Sequence, residues 1–277
     1  MKLGLIGNPI KHSLSPWIHT RLLNQANIAG SYELYEMEPG SFNEQISYLR
    51  KEGLDGFNVT VPFKQKIMTA LDDIDEQARL LGAVNTVKNL DGKWIGYNTD
   101  GKGFLHSLRA KYPELSDKNI KALIIGAGGA AKGIYHTLKN ETTGHIDIAN
   151  RTSERAKEMM EAGAERENVR ILTLQEAESR IADYDLIIQT TTVGMKPNVD
   201  QQIISLRNIS EGTIVSDIVY QPLMTSFLKE AQAKGARIHQ GHEMLLYQAV
   251  YAFEIWTGIS VEESRLLKEL EEQLKGA

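Results

Sequence analysis

The stretch from Ala122 to Ala131 constrains this chain more than any other. The apolar run Ala122-Leu123-Ile124-Ile125 leads straight into Gly126-Ala127-Gly128-Gly129-Ala130-Ala131, and a helical pattern follows. That is G-x-G-x-x-A in the setting it requires, with a strand before it and a helix after it. The glycines let the backbone approach a pyrophosphate, and the helix N-terminus offers free N–H groups and a positive dipole end. A glycine-rich turn without a ligand is the alternative. Downstream, His145–Ala149, Val169–Leu174, Leu186–Thr190 and Thr213–Asp217 read as strands, with helices such as Ser153–Ala162 between them. Strands separated by helices imply a parallel sheet, because parallel neighbours need a crossover. This half of the chain is therefore expected to be a doubly wound α/β domain of dinucleotide-binding type.

The end of the next strand discriminates between dinucleotides. An acidic residue there would accept a ribose 2′-hydroxyl. This chain has Asn150-Arg151-Thr152, with Arg155 one turn later. Guanidinium groups suit a 2′-phosphate, so NADP is expected rather than NAD. Two solvated surface arginines are the alternative. Asp147 falls within the strand rather than at its end, so it is not counted as the ribose partner.

The N-terminal part mixes element types. Lys2–Ile6 and Gly56–Val61 read as strands, Pro16–Asn27 as a helix with Ser15 as its N-cap, and Asp75–Leu81 as a short helix. Ala83–Val87 and Trp94–Asn98 flank Asn89-Leu90-Asp91-Gly92, a hairpin signal. Phe104–Lys111 is helical, and the polar, proline-interrupted Tyr112–Asn119 is the best boundary. Helices resume near His242, and Glu262–Lys275 is amphipathic through Leu266, Leu267, Leu270 and Leu274.

Polar residues cluster in this part. Ser13 and Ser15 put two hydroxyls at a helix start, where a carboxylate can bind, although capping alone would explain Ser15. In a strand, Phe57, Val59 and Val61 face one way, while Asn58 and Thr60 face the other, side by side for substrate hydroxyls. Lys64 is expected near the first turn of the following helix, where the dipole disfavours its charge and suits it to acid/base work; a solvated lysine is the alternative. Asn85 and Asp100 can both reach a polyol, and Asp100 can pair with Lys64 or merely cap the next helix. Tyr220 follows a strand near the ligand-binding edge, and Gln248 sits in the apolar stretch Met244–Phe253; each has simple packing or a backbone bond as its alternative.

Lys plus Arg is 31 and Asp plus Glu is 36, a net charge of −5. That argues against a general nucleic-acid or anionic-membrane binder, which needs a basic face. There is no cysteine, so thiolate metal sites, disulfides and cysteine nucleophiles are excluded. The histidines form no ligand pair at useful spacing, and no metal is expected. No segment approaches about 18 uninterrupted apolar residues and no cleavable signal sequence is visible, so the expected location is cytoplasmic.

Taken together and in order, Ser13-Leu14-Ser15-Pro16, Asn58–Lys64, Gly82–Thr86, Asn98-Thr99-Asp100, Gly126–Ala131, Asn150-Arg151-Thr152, Asp217–Tyr220 and Gly241–Gln248 resemble the shikimate dehydrogenase family. The resemblance implies NADPH-dependent, reversible reduction of 3-dehydroshikimate to shikimate, on the route to chorismate and the aromatic amino acids. It implies Lys64 and Asp100 as the catalytic pair. Ser13, Ser15, Asn58, Thr60, Lys64, Asn85, Asp100, Tyr220 and Gln248 are implied for substrate. Gly126, Ala127, Gly128, Gly129, Ala130, Ala131, Asn150, Arg151, Thr152 and Arg155 are implied for NADP(H), with Ile218 and Gly241 near the nicotinamide. The implied architecture is a substrate domain over 1–101, with 240–277 packing back on it, and a Rossmann NADP-binding domain over 102–239, with a cleft between them, in a monomer or homodimer. Phe63, Gln189 and Gly241-His242-Glu243-Met244 depart from the family's common pattern. The alternatives are a broader quinate/shikimate dehydrogenase that can use NAD, a folate-linked dehydrogenase of similar layout, and a non-catalytic NADP-sensing protein.

Overall fold

The computed structural model describes residues 1–117, 119–141, 144–161 and 169–276. Lys118, within the expected boundary segment, and Ala162, the expected end of a helix, lie outside the described residues. The chain divides into two units, Met1–Asp100 with Gln248–Leu266, and Gly101–Tyr247 with Leu267–Ala277.

The first unit runs β1 (Lys2–Gly7), α1 (Ser15–Gln25), β2 (Ser31–Glu36), α2 (Phe42–Lys51), β3 (Gly56–Val59), β4 (Asp73–Ile74), α3 (Glu76–Leu81), β5 (Thr86–Leu90) and β6 (Lys93–Tyr97). These strands form one mixed sheet in the order β2-β1-β3-β5-β6-β4. β1 runs parallel to β2 and β3, while β5 is antiparallel to both β3 and β6. The β5–β6 hairpin closes through Asp91 and Gly92 at φ 53° and 85°. A two-residue turn with both central φ values positive needs this Asp-Gly pair. Phe57, Val59, Val87 and Trp94 enter the core beside Phe63 and Ile67. β3 ends two residues earlier than its apolar alternation suggests, and Val61 is 65% exposed rather than facing the core with Val59.

α4 (Asp100–Lys111) leads from the first unit into the second. There follow β7 (Ala122–Ile125), α5 (Gly129–Glu141), β8 (Ile146–Ala149), α6 (Ser153–Glu161), β9 (Val169–Leu172), α7 (Leu174–Ser179), β10 (Leu186–Gln189), β11 (Ile214–Asp217), α8 (Ser226–Ala233) and β12 (Arg237–Gln240). All six strands are parallel, in the order β12-β11-β10-β7-β8-β9. Counted from its own first strand, that is 3-2-1-4-5-6, the dinucleotide-binding order with its switch point between β7 and β10. Alternation serves both faces. Ile124, Ile148 and Ile188 pack with Phe104 and Ile134, whereas Leu123, Ile125 and Ile187 pack with Phe227 and Leu228. A parallel sheet covered on both faces explains these uninterrupted apolar strands.

α9 (Gly241–Thr257) and α10 (Ser264–Lys275) close the chain. The part of α9 from Gln248 onward belongs to the first unit. There Trp256 Nε1 donates to the Val87 carbonyl at 2.9 Å, and Lys88 Nζ donates to the Ile255 carbonyl at 2.7 Å. No helix among the described residues is long and apolar enough to cross a membrane.

Asp147, on β8, is fully buried. It accepts from Arg170 Nε and Nη2 at 3.1 and 3.0 Å and from the Tyr184 hydroxyl at 2.6 Å, and it meets His145 Nε2 at 2.6 Å. Burial alone pushes this carboxyl up, but Arg170, Tyr184 and His145 outweigh it and hold the group below its ordinary 3.8. A lowered carboxyl stabilises the fold above its unfolded value and loses that contribution as pH falls through the folded one. Asp147→Ala strands the Tyr184 hydroxyl and is expected to cost about 2 kcal/mol near neutral pH. In urea titrations across pH, the gap between parent and variant should shrink as pH drops below about 4.

Candidate functional site

In the first unit, a buried polar cluster forms where β3, β5 and the start of α4 meet. Lys64 Nζ donates to Asp100 Oδ2 at 2.5 Å, with the side chains 17% and 6% exposed. Asp100 Oδ1 accepts from Asn85 Nδ2 at 2.8 Å. Asn85 also donates to Thr99 Oγ1 at 2.9 Å and accepts from the Thr99 N–H at 2.9 Å. Asn58 Nδ2 reaches the Asn85 carbonyl at 3.2 Å and Thr86 Oγ1 at 3.1 Å. Thr99 Oγ1 in turn donates to the Gln248 carbonyl at 3.0 Å, which ties Gln248 into the unit.

Two local details differ from the sequence reading. Lys64 lies in a turn ahead of a short 3₁₀ segment, Lys66–Ala70, rather than in the first turn of an α-helix. Leu71-Asp72-Asp73 breaks the apolar spacing too soon for a longer helix, so the group governing Lys64 is the Asp100 carboxylate. Ser15 does not cap α1. It is the first helical residue, with Leu14 at the cap position, and its own N–H donates to Ser13 Oγ at 3.2 Å. The two hydroxyls meet at 3.1 Å, so both serines converge at this helix start. Thr60 is half-buried just past β3, its backbone bonded to Ile6.

In the second unit, the glycine loop joins β7 to α5. Gly126 has φ +114°, and a Cβ there would lie 2.5 Å from Thr190 Oγ1. Thr190 holds that place by donating to the Ile125 carbonyl at 2.7 Å. A Cβ at Gly128 would meet nothing within 4 Å, so the backbone stands open beside the start of α5. Ala127 is half-buried on this loop, Ala130 is half-buried in the first turn of α5, and Ala131 is in the core. After β8, Asn150 Nδ2 donates to the Thr152 carbonyl at 2.7 Å, which shapes the turn carrying Arg151. Arg151, Thr152 and Arg155 are exposed, and among the described residues no carboxylate pairs with either arginine. Open glycine backbone, a helix N-terminus and two unpaired guanidiniums suit a phosphorylated dinucleotide. Asp147, saturated by its own partners, is no competitor for a ribose.

Ile218 and Gly241 meet at the carboxyl edge of this sheet, where a Cβ on Gly241 would lie 2.4 Å from the Ile218 carbonyl oxygen. Tyr220 follows, and burial pushes its phenol up. Three residues beyond the expected set organise this edge. Gln189 Nε2 donates to the Val193 carbonyl at 3.0 Å and to Asp217 Oδ1 at 3.1 Å, and its Oε1 accepts from the Thr191 N–H. Asp217 also accepts from the Val219 N–H at 2.9 Å and the Thr225 hydroxyl at 2.7 Å. Burial pushes the Asp217 carboxyl up to about 6, against the pull of those donors. The place of Gln189 at the end of the fourth strand of the sheet, at the switch point, was the available signal. Among the described residues no group of three or more His, Asp or Glu is placed to hold a metal ion.

Residues 5–87 match the shikimate dehydrogenase substrate binding domain, residues 108–218 match shikimate / quinate 5-dehydrogenase, and residues 241–271 match the shikimate 5′-dehydrogenase C-terminal domain. A relative in Oceanobacillus iheyensis, shikimate dehydrogenase (NADP(+)), is 53% identical over 100% of this chain and 99% of its own length. A crystal structure of shikimate dehydrogenase in complex with NADP+ is similar at TM-score 0.90 and 36% identity, covering 99% of this chain and 95% of that one. The Thermus thermophilus shikimate 5-dehydrogenase, in complex with NADP(H) and shikimate, has TM-score 0.87 and 30% identity, covering 98% and 99%.

Gly126→Ala forces a side chain into left-handed backbone and against Thr190. It is expected to lower stability by about 1–3 kcal/mol, read as a fall in thermal midpoint. An unchanged midpoint contradicts the close approach.

Proposed function

Because the chain belongs to the shikimate dehydrogenase family, we propose that it catalyses the reversible, NADPH-dependent reduction of 3-dehydroshikimate to shikimate. The observation that carries the reading is the Lys64–Asp100 ion pair, 2.5 Å long and set in a cluster of hydrogen-bonding side chains. The first unit is assigned to substrate and the second to NADP(H). A cytoplasmic setting, on the route to chorismate and the aromatic amino acids, accompanies this reading, with the chain acting as a monomer or homodimer.

Bound NADPH supplies the hydride. As the ring carbonyl carbon is reduced, negative charge builds on its oxygen; the Lys64 ammonium stabilises that charge and gives the oxygen a proton. In the reverse direction the neutral amine takes the proton back. Asp100 holds the ammonium in place and accepts from a substrate hydroxyl. Ser13 and Ser15 bind the carboxylate through their hydroxyls at the start of α1. Asn58 and Thr60 serve the substrate hydroxyls, with Tyr220 and Gln248 as the remaining substrate contacts; Asn85, expected among them, has its amide fully bonded within the protein and serves the site by holding Asp100. Gly126 through Ala131 cradle the pyrophosphate; Asn150, Arg151, Thr152 and Arg155 hold the adenosine phosphate; Ile218 and Gly241 border the nicotinamide.

Shikimate with NADP should give a growing nicotinamide absorbance, whereas quinate or NAD should give far less, because unpaired Arg151 and Arg155 favour a 2′-phosphate. Lys64→Ala should lower kcat by about 10²–10⁴ with little change in the KM for NADP. Normal turnover in that variant rejects the assignment. Arg151→Ala should raise the KM for NADP about tenfold, the worth of one charge-assisted hydrogen bond, and leave the KM for shikimate unchanged.

A further inference from the structure

Asn85 spends its whole hydrogen-bonding capacity on the protein. Its two N–H groups go to Asp100 Oδ1 and Thr99 Oγ1, at 2.8 and 2.9 Å. Its carbonyl oxygen takes the Thr99 N–H and the Thr86 hydroxyl, both at 2.9 Å. An amide has two donors and two acceptor sites, so none is left over. Thr86 is 0% exposed and has one proton to give. It accepts from Asn58 Nδ2 at 3.1 Å, which leaves that proton for Asn85. Asn58 is oriented in turn by the Tyr32 hydroxyl, which donates to Asn58 Oδ1 at 2.8 Å. Tyr32 is itself fixed by stacking on His19, with ring centroids 4.4 Å apart and planes 8° apart. Donation therefore runs one way, from Tyr32 through Asn58, Thr86 and Asn85 to one oxygen of Asp100, and Lys64 donates to the other.

We propose that Thr86 and Tyr32 are positioning residues for the Lys64–Asp100 pair. The Thr86 hydroxyl, together with the Thr99 N–H, holds the Asn85 oxygen away from Asp100 and its N–H toward it. Turned over, that amide would set its carbonyl oxygen against Asp100 Oδ1, acceptor against acceptor, and the carboxylate would leave the orientation in which it holds Lys64. Tyr32 does the same for Asn58 one step earlier. A chain of aligned donors in a buried setting strengthens each member, so the Thr86 hydroxyl, which the assignment above gives to neither substrate nor cofactor, acts on the reacting ammonium through Asn85 and Asp100. The role rests on the dehydrogenase reading above.

Thr86→Val keeps shape and removes the hydroxyl; Thr86→Ser keeps the hydroxyl and removes the methyl. In the full-length holoenzyme, Thr86→Val should lower kcat for shikimate oxidation about tenfold or more, the cost of unsatisfied buried groups, with a smaller change in KM and a displaced pH–kcat profile. Thr86→Ser should recover kcat to within about threefold of the parent. A Thr86→Val enzyme within about twofold of the parent, with the same pH profile, overturns the proposal. So does a Thr86→Ser enzyme as slow as the valine variant, which would mean packing alone. Should Thr86→Val not fold, Tyr32→Phe decides: because the Tyr32 hydroxyl also meets Ser15, a fall in kcat with the pH profile displaced and the KM for shikimate little changed supports the relay, and parental kcat, or a raised KM alone, overturns it. If the parent itself does not oxidise shikimate, the dehydrogenase reading fails, and the relay is judged by crystallography of Thr86→Val. Loss of the Lys64–Asp100 contact supports it, and retention overturns it.

Discussion

A carboxylate that is 6% exposed cannot stand alone, because desolvation of a charge is repaid only by a partner charge and by hydrogen bonds on the remaining lone pairs. Asp100 meets both demands, through Lys64 on one oxygen and Asn85 on the other. Much of the first unit follows from that requirement. β5 must begin beside the start of α4 so that Asn85, just ahead of it, can reach Asp100. β3 must run next to β5 so that Asn58 can brace it, and the turn after β3 must bring Lys64 back over the same point. The mixed strand directions of this sheet deliver three short polar segments from distant parts of the sequence to one place.

The second unit solves a different problem with a simpler device. Every strand is parallel, so every carboxyl end lies on one edge, and the order reverses between β7 and β10. The glycine loop, the turn after β8 and the Gln189–Asp217 pair all stand on that edge. Close approach of Gly126 to Thr190, and of Gly241 to Ile218, keeps the loops there short and low.

Most of the parallel half was legible because its inner strands are largely apolar runs and its loop carries glycines in a fixed pattern; the edge strand β12, Arg237–Gln240, is polar and went unread. The mixed half was less so. β2 escaped notice because Ser31–Glu36 is an edge strand with exposed glutamates, and β4 has only two residues. Among the site residues, Lys64 and Asp100 stood out as chemistry-bearing types, yet their pairing depends on a contact 36 residues apart. Thr86, although inside the Gly82–Thr86 stretch, and Tyr32 carried no signal of a role: a buried hydroxyl reads as ordinary strand chemistry until its single proton is traced. Ser15 looked like a cap because the rule for caps is local, whereas Ser13 supplies the acceptor from two residues upstream.

The late return of α9 bears on how this molecule is made. Val87, Lys88 and Thr99 bond to residues 169, 167 and 149 positions further along the chain. On a ribosome, the mixed sheet emerges first yet must wait for nearly the whole of the rest to be translated before its covering helix exists. Domains as a rule are completed N-terminal first during synthesis; here the order inverts, and the opening segment spends translation as an unfinished scaffold, with the Trp256 site beside Gly56 and Val87 still to be filled.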